Sequence, residues 1–262
     1  MTLIDALLED LPDCRIIDVR LGLHWTAVVA EAGGERRCGL SAGMLPCHEH
    51  RTEPDVKLAG ELERLSIREL AAFLLSENPI LASIGLAAVN AVSPKPFARS
   101  KDANAEDLIA ARGAKKKVVL VGHFPFVPRL RPRVGDLVVL EQNPSLGDLP
   151  AEAAPEVLPG AQVVAITAMT LINHTLEGLL TFCPRQAMVM LIGPSTPLSP
   201  RLFDFGIDIL CGAEVTAIEP VLRVVSQGGN FHQVRQAGTR LVNLFRYDKG
   251  LDLDSGGSSN AR

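Results

Sequence analysis

The spacing of apolar residues changes along this chain, and the change divides it. At the start, "MTLIDALLED" puts Leu3, Ile4, Leu7 and Leu8 on one helical stripe that Pro12-Asp13 ends. Residues 14–21 and 24–31 then read as strands around Gly22, and 36–40 as a third strand behind the Gly33-Gly34 turn. Together they predict a meander. A polar stretch over 41–56 reads as loop. "SIRELAAFLLSE" follows, with Ser66 as N-cap and Glu69 at the capping-box position. "NPILASIGLAAVNAVSP" opens on Asn78 as cap and Pro79 at the first helical position. It is apolar nearly all round, so it predicts a buried helix. Strands followed by helices give this half an α+β character.

From Lys116 the pattern becomes a series of continuous apolar runs: "KKVVLVG", "DLVVLEQNP", "AQVVAITA", "QAMVMLIGPS" and "IDILCGAEV". Runs apolar on both faces mark parallel strands covered on both sides. Helical patterns at 171–182, 199–205 and 217–226 separate most of them, and a short helix is expected at 105–112. The expected fold class is therefore α/β, a Rossmann-like doubly wound parallel sheet preceded by a small α+β domain. Two connections, "HFPFVPRLRPRVG" and "SLGDLPAEAAPEVLPG", are Pro-rich and leave room only for short helices. The expected division is a small domain over 1–100, a ligand-binding domain over 101–248, and a disordered Gly/Ser-rich tail over 249–262.

Composition narrows the function classes. Aromatic residues make up 4% against 47% hydrophobic, so the core must be aliphatic. The net charge of -4 gives no electrostatic footprint for nucleic acid. Lys115-Lys116-Lys117 reads as a solvated strand entrance. Five cysteines at wide spacing, with no CxxC, fit neither a disulfide framework nor a zinc ribbon. No apolar run reaches the roughly 18–20 residues of a spanning helix. The first residues carry acids and no Lys or Arg, unlike a secretory or transit signal. The expectation is a cytoplasmic protein with a small-molecule or metal-chelate ligand and no nucleic-acid or membrane partner. The oligomeric state is not fixed by the sequence, and a homodimer is compatible with it.

Open parallel sheets bind ligands beyond the carboxyl ends of their strands. That rule selects Gly122-His123, Glu141, Thr167 with the following Thr170 and Asn173, Gly193-Pro194-Ser195-Thr196, and Gly212 to Glu214. GxGxxG and Walker patterns are missing. Glu141 sits where a Rossmann acid would meet a ribose hydroxyl, which points to a nucleotide or S-adenosyl ligand; a solvated Glu after a strand is the plainer reading. His123 reads as a general base, a metal ligand, a hydrogen-bond donor or a loop brace. In "VVAITAMTLINHTLEG", Thr170 reads as the N-cap of the following helix, Thr167 and Asn173 as facing the crevice, and His174 as peripheral. In "GPSTPLSP", Ser199 reads as the cap of a helix whose start could hold an anion, or the loop is simply locked by its prolines. "CHEH" is the most metal-like string. Cys47, His48 and His50 could form part of a divalent-metal site, although consecutive side chains diverge and a surface loop is the alternative.

"VGHFPFVPRLR", "LEQNP", "ITAMTLINHTLEGLL" and "LIGPSTPLSPRLFDFGIDILCG" together resemble the heavy-metal chelation domain family. "GLAAVNAVSP" and the strands before it are similar to the enolase N-terminal-like domain that precedes the Rossmann-like domain in that family. The resemblance spans about residues 10–245. It implies a site between the two domains, with Asn90 as the small domain's contribution. By matching motifs it also implies Gly122, His123, Glu141, Thr167, Asn173, Thr175, Gly193, Pro194 and Ser195 as ligand-binding residues. The expected function is binding, with or without processing, of a small anionic or metal-chelating molecule. The alternatives are an S-adenosylmethionine- or nucleotide-dependent enzyme and a non-catalytic metal carrier.

Overall fold

The structure is a computed structural model that describes residues 1–9, 11–43, 54–94, 100–101 and 104–246. "CHEH" and the tail at 249–262 lie outside the described residues. Helix α1 (Leu3–Glu9) leads into an antiparallel meander of β1 (Arg15–Leu21), β2 (Trp25–Ala32) and β3 (Glu35–Ala42). Helix α2 (Ile67–Ala71) starts from the capping box of Ser66 and Glu69. Helix α3 (Pro79–Val92) starts where the Asn78 side chain accepts the Ile80 amide. Ten of the fourteen α3 residues are buried, as an all-round apolar helix requires.

The second sheet comprises β4 (Ser100–Lys101), β5 (Lys117–Val121), β6 (Asp136–Glu141), β7 (Leu149–Pro150), β8 (Val163–Thr167), β9 (Met188–Ile192), β10 (Ile209–Val215) and β11 (Thr239–Phe245). Their order is β4-β11-β10-β9-β8-β5-β6-β7, parallel from β10 to β7. Strands β11 and β4 are antiparallel additions at one edge. The sheet is therefore mostly rather than wholly parallel. Its helices are α4 (Ala105–Gly113), α5 (Val127–Leu130), α6 (Ala154–Val157), α7 (Met169–Ile172), α8 (Leu176–Thr181), α9 (Ile218–Ser226) and α10 (Phe231–Gly238). Both Pro-rich connections hold four-residue helices, α5 and α6. Among the described residues, no helix is long and apolar enough to cross a membrane.

Alternation along the strands builds two cores from one sheet. Val119, Val121, Val164, Ile166, Val189 and Leu191 join a cluster with α3. Val118, Leu120, Val163, Ala165, Met190 and Ile192 point the other way, onto Leu108 and Ile109 of α4. The small sheet is also covered on both faces. Val28 and Ala30 join the α3 cluster. Trp25, Ala27 and Val29 pack on Val221, Leu222 and Val225 of α9 and Val234 of α10. Helices late in the chain thus complete a sheet made at its beginning. Strand β3 approaches α3 so closely at Gly39 that a Cβ there would sit 2.1 Å from the Ala87 carbonyl oxygen.

Strand order fixes where a ligand can enter. From β5 the chain adds β6 on one side, then returns to add β8 on the other. The crevice beyond the ends of β5 and β8 is the topological switch point of the sheet.

Candidate functional site at the strand switch point

A cavity of about 390 Å³ opens at that point. Gly122, His123, Glu141, Thr167, Asn173 and Thr175 all line it. Gly122 turns the chain at the end of β5 with φ +105°, and its amide donates to the Leu140 carbonyl at 2.8 Å. A Cβ on this residue would lie 3.0 Å from Thr167 Cγ2, so glycine is needed for both backbone angle and space.

Glu141 is a brace between two strand ends. Its Oε2 accepts the His123 amide at 2.7 Å, and its Oε1 accepts the Gln142 amide at 2.7 Å. Each carboxylate oxygen retains a lone pair for a ligand hydroxyl. Sequence reasoning missed Asp148. Its side chain is 2% exposed and its Oδ2 lies 2.8 Å from His123 Nδ1. Oδ2 also accepts the Ser145 amide at 3.0 Å. The available signal was "SLGD", a Ser-to-Asp tight turn in which Gly147 takes φ +92°.

The stretch after β8 departs from expectation. The helix expected over 171–182 is broken into α7 and α8 by His174, whose φ is +58°. Asn173 causes the break: its Oδ1 accepts the Thr175 hydroxyl at 2.7 Å and the Thr175 amide at 3.3 Å. A short polar side chain that bonds the nearby backbone competes with helix continuation. Thr170 is not an N-cap. It lies inside α7 and donates its hydroxyl to the Thr167 carbonyl at 2.6 Å, while Thr167 Oγ1 accepts the Met169 amide at 3.3 Å. His174 does not line the cavity; its Nε2 donates to the Leu74 carbonyl at 2.8 Å and ties this turn to the small-sheet half.

The remaining candidates do not reach this cavity. Asn90 donates from Nδ2 to the carbonyls of Leu40 at 2.8 Å and Ser195 at 2.9 Å. Ser195 is buried, and its Oγ accepts the Ala42 amide at 2.8 Å. These two residues clasp β3, α3 and the β9 loop together. Gly193 and Pro194 line a second, apolar cavity of about 310 Å³ with Trp25, Phe124, Phe126 and Phe231. Phe124 lines both cavities. The single interdomain crevice expected from the motifs is thus divided: the cavity at the switch point is lined by large-sheet residues alone, while a separate cavity at the seam is lined by Asn90 with Arg36, Arg37, Thr196 and Glu214. Ser199 precedes a 3-10 turn, Pro200–Phe205, and makes no side-chain cap bond.

The described residues do not build a metal site of their own. Among them, no group of three or more His, Cys, Asp or Glu side chains is placed to hold an ion. Their thiols are poor ligands as well. Burial pushes Cys183 up to about 11 and Cys38 up to about 12, and raises Cys211 and Cys14, whereas the thiolate is the ligating form.

Comparison with known proteins bears directly on this geometry. Residues 104–243 match a family model described as "Putative heavy-metal chelation", and residues 4–93 match a second model with the same description. A crystal structure of a protein of unknown function from Desulfitobacterium hafniense superposes with a TM-score of 0.80 at 30% identity, covering 93% of this chain and 98% of that one. One from Pyrococcus horikoshii gives 0.79 at 22% identity, covering 94% and 100%, and shares the fold. An uncharacterized protein of Methanocaldococcus jannaschii is 29% identical over 229 residues, 84% of this chain and 86% of that protein.

Proposed function

Because the chain belongs to the family described as "Putative heavy-metal chelation", we propose that it binds a small metal-chelating molecule in the cavity at the strand switch point. The observation that carries this reading is polar capacity left over at that cavity. Asn173 uses its Oδ1 within its own turn, and no described residue takes its Nδ2. His123 uses its Nδ1, and no described residue takes its Nε2. Thr167 lends its oxygen to an amide and keeps its hydroxyl proton. These groups converge with Leu140, Met169 and Leu179, so the wall is part apolar and part polar. That mixture is the usual make-up of a small-molecule site.

No Lys or Arg lines this cavity, so carboxylates of a chelator are met by the Asn173 amide and the Thr167 hydroxyl, and a hydroxyl of the chelator by the His123 imidazole. Through Phe124 the ligand borders the apolar cavity that Trp25 of the small sheet helps to line, which brings both halves of the chain to it. A second reading, a nucleoside or S-adenosyl ligand, is favoured by Glu141 at the end of β6, where it could receive ribose hydroxyls.

A thermal-shift panel separates the two. Citrate, 2,3-dihydroxybenzoate and histidine are each offered alone and with Zn(II) or Cd(II), beside adenosine and S-adenosylmethionine. A compound at a hundred times its Kd stabilises by about 2.7 kcal/mol. The chelation reading expects a shift with a chelator that disappears in Thr167→Phe, which fills the cavity. Shifts with adenosine compounds alone favour the second reading. A shift that survives Thr167→Phe refutes the cavity as the site.

A further inference from the structure

His123 stands at the cavity wall with a ring that is not free to choose its orientation. Its side chain is 38% exposed, while that of its partner Asp148 is 2% exposed. Burying a carboxylate is costly unless hydrogen bonds compensate. Here the Ser145 amide supplies one bond at 3.0 Å and His123 Nδ1 supplies another at 2.8 Å. The His123 backbone is held independently, its amide donating to Glu141 at 2.7 Å. Two strand-end loops therefore fix one imidazole, the first through the main chain and the second through the ring.

An ionised carboxylate can only accept, so Nδ1 carries the ring proton. Nε2 then keeps a bare lone pair, and no described residue takes it.

Resting on the reading of this cavity as the ligand site, we propose that His123 and Asp148 form a proton-accepting dyad. His123 is the catalytic base, and Asp148 is the positioning residue that fixes its tautomer. The substrate class is a small chelator bearing a phenolic or enolic hydroxyl. The Nε2 lone pair takes the hydroxyl proton; the O–H bond breaks as the N–H bond forms, and the electron pair stays on oxygen. The products are an oxyanion in the cavity and an imidazolium facing the Asp148 carboxylate. The oxyanion is the form in which such a hydroxyl ligates a metal, since ligation requires loss of the proton.

The dyad is testable without a ligand, so its failure is distinct from failure of the cavity reading. Long-range proton–nitrogen NMR of the full chain, labelled with nitrogen-15 histidine, reports which ring nitrogen bears the proton. We expect the Nδ1–H tautomer at His123 in the wild type and its loss in Asp148→Asn; a wild-type ring protonated at Nε2 overturns the proposal. Acylation by diethyl pyrocarbonate, mapped by mass spectrometry, gives a second readout. His123 should react several-fold more slowly in Asp148→Asn at the same pH, with the rate restored in Asp148→Glu. Equal rates in wild type and Asp148→Asn overturn the positioning role, and if that variant does not fold, the wild-type tautomer decides alone.

Discussion

Two asparagines, Asn90 and Asn173, end up in opposite circumstances. Asn90, at the seam between the two sheets, gives both its amide hydrogens to carbonyls of Leu40 and Ser195. Asn173, at the strand-end cavity, satisfies its own turn with its oxygen and keeps its amide hydrogens. The same division separates Ser195, whose hydroxyl oxygen holds the Ala42 amide, from His123, which engages one ring nitrogen and offers the other. Residues chosen from equally conspicuous motifs thus serve either the fold or the cavity. What separates them is whether they bridge the two sheets, since Asn90 too leaves a polar atom over, its buried Oδ1.

The sharpest challenge to this contrast is steric. Gly39→Val places a side chain where the Ala87 carbonyl oxygen is 2.1 Å from an ideal Cβ. It should cost about 3 kcal/mol, because the nearest atoms, the Ala87 carbonyl oxygen and the Ala91 amide nitrogen, are both backbone and cannot turn aside. The denaturation midpoint measures this, and a midpoint near the wild type would mean that the seam is not closely packed. Asn90→Ala comes next. It strands two carbonyl acceptors in the seam and should cost about 2–3 kcal/mol in chemical denaturation while leaving the chelator-induced thermal shift intact. A stable Asn90→Ala protein without ligand binding would invert the contrast.

Thr167→Val should have the reverse profile. Stability should fall by only about 1 kcal/mol, since the Met169 amide loses its acceptor at Thr167 Oγ1. Ligand affinity should fall roughly tenfold, equivalent to about 1.4 kcal/mol, by calorimetry. The smallest effect concerns pH. Cys38, at the seam, is pushed up to about 12 by burial, and Cys183 up to about 11, both from 9.0. A raised folded-state value means that stability is full below pH 9 and is lost as pH rises toward those folded values. The melting temperature should therefore decline between about pH 9 and 11, less steeply in Cys38→Ala than in wild type; parallel curves would show that the Cys38 thiol is not held in a dry seam.

The parts of the fold legible in the sequence were those decided locally. Continuous runs such as "KKVVLVG" and "AQVVAITA" are strands because both their faces are covered, and six of the candidate residues meet because strand ends converge at a switch point. The unread parts depend on partners that no local pattern names. Asn173 breaks a helical pattern through its own side chain. Val221 and Val234 look like ordinary apolar helix positions, yet they cover a sheet from the other end of the chain. Strand β11 is antiparallel and follows α10 directly, and its "TRLVNLF" lacks the continuous apolar run that marks the parallel strands. Asp148 sits in a polar loop, where only its turn with Ser145 sets it apart.

The late arrival of α9 and α10 has a consequence for biosynthesis. As the chain leaves the ribosome, β1 to β3 emerge roughly 180 residues or more before the helices that cover Trp25, Ala27 and Val29 are complete, since β3 ends at Ala42 and α10 at Gly238. Until then the young meander carries an uncovered apolar face, the kind of surface that invites aggregation and chaperone capture. The small sheet cannot finish maturing until α9 and α10 have been translated.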